Sequence, residues 1–216
     1  GGIERSGDTI VVYGPFTSVS SIGSSADPQA ASGVFSFLRS TGQLLPGVAV
    51  SSGEVWDLEL IGNKVLLGGR IRWLQGPARA GVAALALNDG ALLPITINVQ
   101  GTVHAMALSE GNLYLGGPFT AVNGSPVFGV ARVNELTGAL VPFAQPIAWG
   151  GNQYAFEVHD GRLFMGTATG MRVHNAVSGA QLPWNWSTNG AVQALDRWGD
   201  RLYVGGSFTS IGGVPR

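Results

Sequence analysis

Acidic, aromatic and amide side chains are the groups in this sequence whose spacing points to chemistry. Glu59, Glu157 and Asp196 occupy one position of a recurring short segment, with Ala107 in the remaining copy. If those segments line a channel, the carboxylates would offer a hard cation such as calcium several oxygen ligands. The plainer reading is a solvated or arginine-paired set, because Arg162, Arg197 and Arg201 stand close in sequence. The second position of the same segment reads Trp56, His104, Tyr154 and Gln193, one varied side chain per copy, suited to lining a pocket or to packing. His104, His159 and His174 lack the spacing of a metal-ligand set.

Four of the six tryptophans, Trp73, Trp149, Trp184 and Trp186, fall in long connecting stretches together with Arg70, Arg72 and Asn152. Rings flanked by amide and guanidinium groups suit stacking on sugar rings or anchoring a protein partner. Filling the seams between repeats is the structural alternative. There is no HExxH pair, no GxSxG elbow and no phosphate-binding loop with a lysine, so the chain reads as non-catalytic. A carboxylate pair brought together in space, as in glycoside hydrolysis, would leave no such trace.

The elements that must position these residues repeat. The string LYLGGPFT at 113–120 recurs as VVYGPFT, LLGGRI, LFMGTAT and LYVGGSFT, marked by Gly14, Gly68, Gly116, Gly166 and Gly205. A turn and strand recur as TGQLLP, DGALLP, TGALVP and SGAQLP. A third strand reads VWDLEL, VHAMAL, QYAFEV and VQALDR; a fourth reads VFSFLR, VAALAL, VARVN and MRVHN. Apolar residues fall at period two or in brief runs, and Gly, Asn, Asp and Ser fill the breaks, which is strand and turn chemistry. Repeats of about 40 to 50 residues with four strands each predict an all-β fold, a β-propeller of four-stranded antiparallel blades. The units expected are 33–71, 81–119, 129–169 and 170–208 of a single segment 1–216. Residues 1–17 are expected to end a preceding blade, beginning in its second strand, so the segment reads as an incomplete ring or part of a larger propeller.

With a GGxFT strand, an AR-containing strand, TGxLxP and VxALAL, the chain resembles the delta-60 type of bacterial β-propeller repeat and is similar to the propeller of fungal cortical polarity markers. The third repeat holds LYLGGPFT, VARVN and TGALVP intact, whereas Arg70-Ile71 and the TAT after Gly166 depart from the pattern. The resemblance implies a secreted or cell-surface protein with a binding or adhesive role, and it brings no catalytic residues.

Composition suits a β-rich protein and does not fix the compartment. The 216 residues include 34 glycines and no cysteine, and the formal net charge is −1. No basic field exists to attract nucleic acid, and no apolar stretch has the length of a membrane helix. Two N-x-S/T strings, at Asn123 and Asn185, would carry glycans only in a eukaryotic secretory route. If each blade is a meander of four strands, a, b, c and d, which in the third repeat start at Val103, Leu113, Val130 and Ala139, the short a–b and c–d turns share one face. The long b–c and d–a connections share the other, where recognition is expected. The sequence therefore predicts a binding module for carbohydrate or protein; a scaffold in a larger assembly and a polysaccharide-acting enzyme are the alternatives.

Overall fold

The computed structural model describes residues 1–20, 29–30, 33–45, 50–71, 73–74, 80–144, 152–183 and 187–216. Those residues contain strands, bridges and turns and no helix. They fall into two compact units, Gly1–Thr102 and Val103–Arg216.

The first unit holds two three-stranded antiparallel sheets, besides two-stranded pairs in its connections. Sheet 1 orders strand a (Gly2–Ser6), strand b (Thr9–Tyr13) and strand c (Val34–Leu38); sheet 2 orders a (Val55–Ile61), b (Lys64–Gly69) and c (Val82–Ala86). Val11, Val34, Leu58, Val65, Leu67 and Leu85 form its core. The second unit repeats the plan three times. Sheet 3 has a (Ala105–Ser109), b (Asn112–Gly116) and c (Val130–Asn134); sheet 4 has a (Gln153–His159), b (Arg162–Thr167) and c (Gly170–Asn175). Sheet 5 has a (Val192–Trp198) paired with b (Arg201–Gly206). Tyr114, Val130, Phe156, Leu163 and Met165 form the core here.

Three expectations need correction. The chain opens with strand a of sheet 1, not in a b strand. The sheets run a-b-c, so the repeat borders at 33, 81 and 129 fall inside hydrogen-bonded sheets rather than between them. Strand d is cut to single bridges, Phe37 to Leu44, Leu85 to Leu92, Val133 to Leu140 and His174 to Gln181. Each bridge lies two residues before a proline, which cannot donate to a ladder and so limits the outermost strand.

Within each sheet the two ends are set by recurring backbone bonds. Arg39 N–H donates to Asp8 O, Leu87 to Asn63, Glu135 to Gly111 and Ala176 to Gly161, tying each c–d turn to the a–b turn of its own sheet. At the other end, Gly14 N–H donates to Gly33 O, Gly69 to Gly81 and Gly117 to Gly129, joining the end of b to the start of c. The a–b turns need left-handed backbone, and Glu110 (φ 49°) with Gly111 (φ 75°) supplies it in sheet 3.

Candidate functional site

One irregularity recurs in strand a. Val55 pairs with Gly69 and Asp57 with Gly68; Gln153 pairs with Thr167 and Ala155 with Gly166; Val192 pairs with Gly206 and Ala194 with Gly205. In each sheet one residue is left over, and it is Trp56, Tyr154 or Gln193. Such a bulge bends the strand and re-aims a side chain without breaking the ladder beyond it. In sheet 3, where strand a starts at Ala105, His104 takes the same place, and its N–H donates to Gly116 O at 2.8 Å. The varied second position is thus presented by a fixed backbone device at the end of the sheet where b passes to c.

In the second unit two of these residues meet. The His104 and Tyr154 rings lie parallel, 5° between planes and 6.4 Å between centroids. Asn152, a residue singled out in the sequence, places its Nδ2 3.4 Å from the Tyr154 hydroxyl and is exposed. Burial lowers the His104 pKa to about 4, so the ring is neutral near pH 7. Gln153 fixes the strand beneath. Its side chain is 3% exposed, and Oε1 accepts the Gly117 N–H at 3.1 Å, where sheets 2, 3 and 5 carry Val55, Val103 and Val192.

Sheet 4 also has the shortest b–c connection. Thr167 stands where other sheets have glycine, and its hydroxyl donates to Gly170 O at 2.8 Å, closing the turn within three residues. Sheet 3 uses 118–129 for the same link, including a hairpin of Phe119–Val122 and Ser125–Pro126. The long-loop pattern therefore lapses beside Tyr154 and Asn152, leaving this aromatic and amide group next to a tight turn.

The carboxylate row proves longer than the sequence suggested. Glu4 pairs with Val11 as Glu59 pairs with Leu66, Ala107 with Tyr114, Glu157 with Phe164 and Asp196 with Tyr203, so Glu4 belongs to the row. The signal missed is that Tyr13, not Gly14, occupies the place of Gly68 and Gly116. In the first unit the Tyr13 hydroxyl donates to Asp57 Oδ1 at 3.3 Å, and burial, with Asp57 and Glu4 beside it, pushes that phenol well above its ordinary pKa. In the second, Glu157 Oε1 lies 3.5 Å from Arg197 Nε, the arginine pairing expected as the alternative to a cation. Burial raises the Glu157 pKa; Arg197 opposes and Asp196 reinforces the shift. Among the described residues, no group of three or more His, Asp or Glu side chains is arranged to hold a metal ion.

The remaining candidates are dispersed. Arg70 is exposed and its N–H donates to Glu54 O at 3.0 Å. Trp73 lies in a short strand, Trp73–Leu74, paired with Val50–Ser52. Arg72, Trp149, Trp184 and Trp186 lie outside the described residues. His174 is buried with Nδ1 3.0 Å from Gly179 O, and His159 sits 3.2 Å from Asp160.

No family model matches the chain, and no curated protein matches it. Solved structures do. The computationally designed Ika8 protein matches with a TM-score of 0.57 at 14% identity, over 94% of this chain and 66% of that one. The designed Ika4 protein matches at 0.57 and 17%, over 79% of this chain and 98% of that one. A gluconolactonase of Xanthomonas campestris matches at 0.54 and 17%, over 80% and 62%. These neighbours are β-propellers. The chain is a β-propeller segment. It spans about two thirds of the Ika8 protein and less of the gluconolactonase, and at these identities the likeness concerns architecture alone.

Proposed function

We propose that this propeller segment is a non-catalytic binding module that recognises an uncharged, hydroxyl-rich ligand such as an oligosaccharide on its b–c and d–a face. The observation that carries this reading is the group of His104, Tyr154 and Asn152, two parallel rings and an amide, with Tyr154 set by a strand bulge beside the shortest connection. Aromatic faces favour the C–H face of a sugar, and amides favour its hydroxyls. A neutral His104 and a net charge of −1 favour a ligand without charge. The resemblance to delta-60 repeats supports a secreted or cell-surface setting, where carbohydrate and protein partners are the available ligands.

A glycan array with the wild-type chain and the Tyr154→Ala, Asn152→Ala double variant tests this. Saturable sugar binding that the double variant loses by about tenfold or more, with its melting temperature retained, is the expected result. Capture of a protein but no glycan moves the reading to protein recognition. Release of reducing sugar by the wild type, abolished by Glu157→Gln, would replace it with an enzymatic one.

A further inference from the structure

Sheet 2 repeats, with other residues, the device seen at Asn152 and Tyr154. Trp56 is the residue left over by its bulge, and Glu54, two places before it, accepts the Trp56 indole N–H through Oε2 at 3.1 Å. Asn152 stands in the same relation to Tyr154. Neighbouring residues of the strand are enclosed, Val55 at 4% and Leu58 at 2% exposure, whereas Trp56 is 41% exposed and Glu54 is exposed with it. The indole is therefore open to solvent while its polar edge is tethered. The backbone under Glu54 is fixed as well. Its carbonyl accepts the Arg70 N–H at 3.0 Å. A Cβ on Gly69 would strike that carbonyl, and one on Gly53, which holds a φ of 120°, would strike the carbonyl of Arg70. Two glycines thus let residues 53–54 lie directly against 69–70, and the carboxylate is carried on a segment with little room to shift.

That carboxylate keeps binding capacity. One oxygen takes the indole N–H, the other has its own lone pairs, and among the described residues no lysine or arginine pairs with it. Asp57, the next acid along the strand, is already engaged by the Tyr13 hydroxyl and the Leu58 N–H. Indole faces attract cations more strongly than the other aromatic rings do, and a carboxylate at the ring edge adds a charged acceptor for an N–H donor. A neutral sugar would use the ring and leave the charge unmatched. We infer that Glu54 and Trp56 form a second binding site, taking a ligand with a protonated amine beside a flat apolar face, as in an amino sugar. The site belongs to the first unit and draws on no residue of the His104, Tyr154 and Asn152 group.

The test titrates the whole chain with a glucosamine tetramer in mildly acidic buffer, by isothermal calorimetry, beside the N-acetylglucosamine tetramer, which keeps the sugar ring and loses the charge. The expected result is saturable binding of the first, about tenfold or more tighter than the second and weakened by added salt. Glu54→Gln, whose amide oxygen still accepts the indole N–H, should weaken it about tenfold with the melting temperature retained. Trp56→Leu should abolish it, and where that variant does not fold Glu54→Gln decides. The Tyr154→Ala, Asn152→Ala double variant should leave it unchanged. No saturable binding up to millimolar tetramer, equal affinity for the two tetramers, or indifference to Glu54→Gln overturns the inference. Loss of binding in the double variant assigns the tetramer to the second unit and overturns it equally.

Discussion

His104 is held uncharged by its surroundings, and that has a consequence for pH. Its folded pKa of about 4 lies below the ordinary imidazole value of 6.5, so between those values the unfolded chain binds a proton that the native chain refuses. The contribution is present above about 6.5 and lost as pH falls towards about 4. Denaturant melts across that window should show falling stability in the wild type and a flatter profile in His104→Gln. Glu157 works with the opposite sign. Its folded pKa is raised, so its contribution is complete at acid pH and is lost as pH rises through the folded value. Glu157→Gln should raise the melting temperature by about 2 °C at pH 7, with the gain vanishing near pH 4; a lower melting temperature at pH 7 would show that the Arg197 pairing outweighs burial. At this scale the sequence was partly legible. Asn152 and the second-position residues could be chosen from their neighbours, but the ring contact of His104 with Tyr154 joins two sheets and leaves no local trace. Glu4 escaped because its repeat carries tyrosine where the others carry their marker glycine.

That glycine is an element-scale device. A Cβ on Gly116 would run into the Phe156 ring and come within 3.0 Å of Gln153 Cβ, because strand a of sheet 4 packs directly over it. Gly166 is as tight, with Val192 O at 2.7 Å from the added carbon. Gly116→Val should therefore destabilise the chain by about 2 kcal/mol in urea titrations, without changing its β-sheet circular dichroism. A neutral outcome would mean that the adjoining strands yield easily. The order of strands was legible because each turn keeps its own chemistry: Asn134 Oδ1 accepts from the Leu136 and Thr137 amides, and Asn175 Oδ1 repeats this at Val177 and Ser178. The phase was not legible. A period can be cut anywhere, and only the hydrogen-bonded partners decide that a, b and c share one sheet.

For the molecule as a whole, strand b lies, among the described residues, between a and c in sheets 1 to 4 and is paired with a alone in sheet 5, and amide exchange on this chain should report it. The Leu202 and Val204 amides should exchange at least about a hundredfold faster than those of Leu113 and Leu115, since opening an unpaired edge needs no ladder to break. Equal protection would reveal a partner on that edge in solution. The propeller assignment itself came from repetition, which needs no knowledge of any single contact, whereas the division into two units depends on packing that periodicity does not encode. One more consequence lies in the bulge of strand a. Because the surplus residue sits at one rung and leaves the pairings beyond it in place, a library varied at Trp56, Tyr154 and Gln193 would search for new ligands while the ladder stays spelled by other letters. Folding and recognition here use separate alphabets.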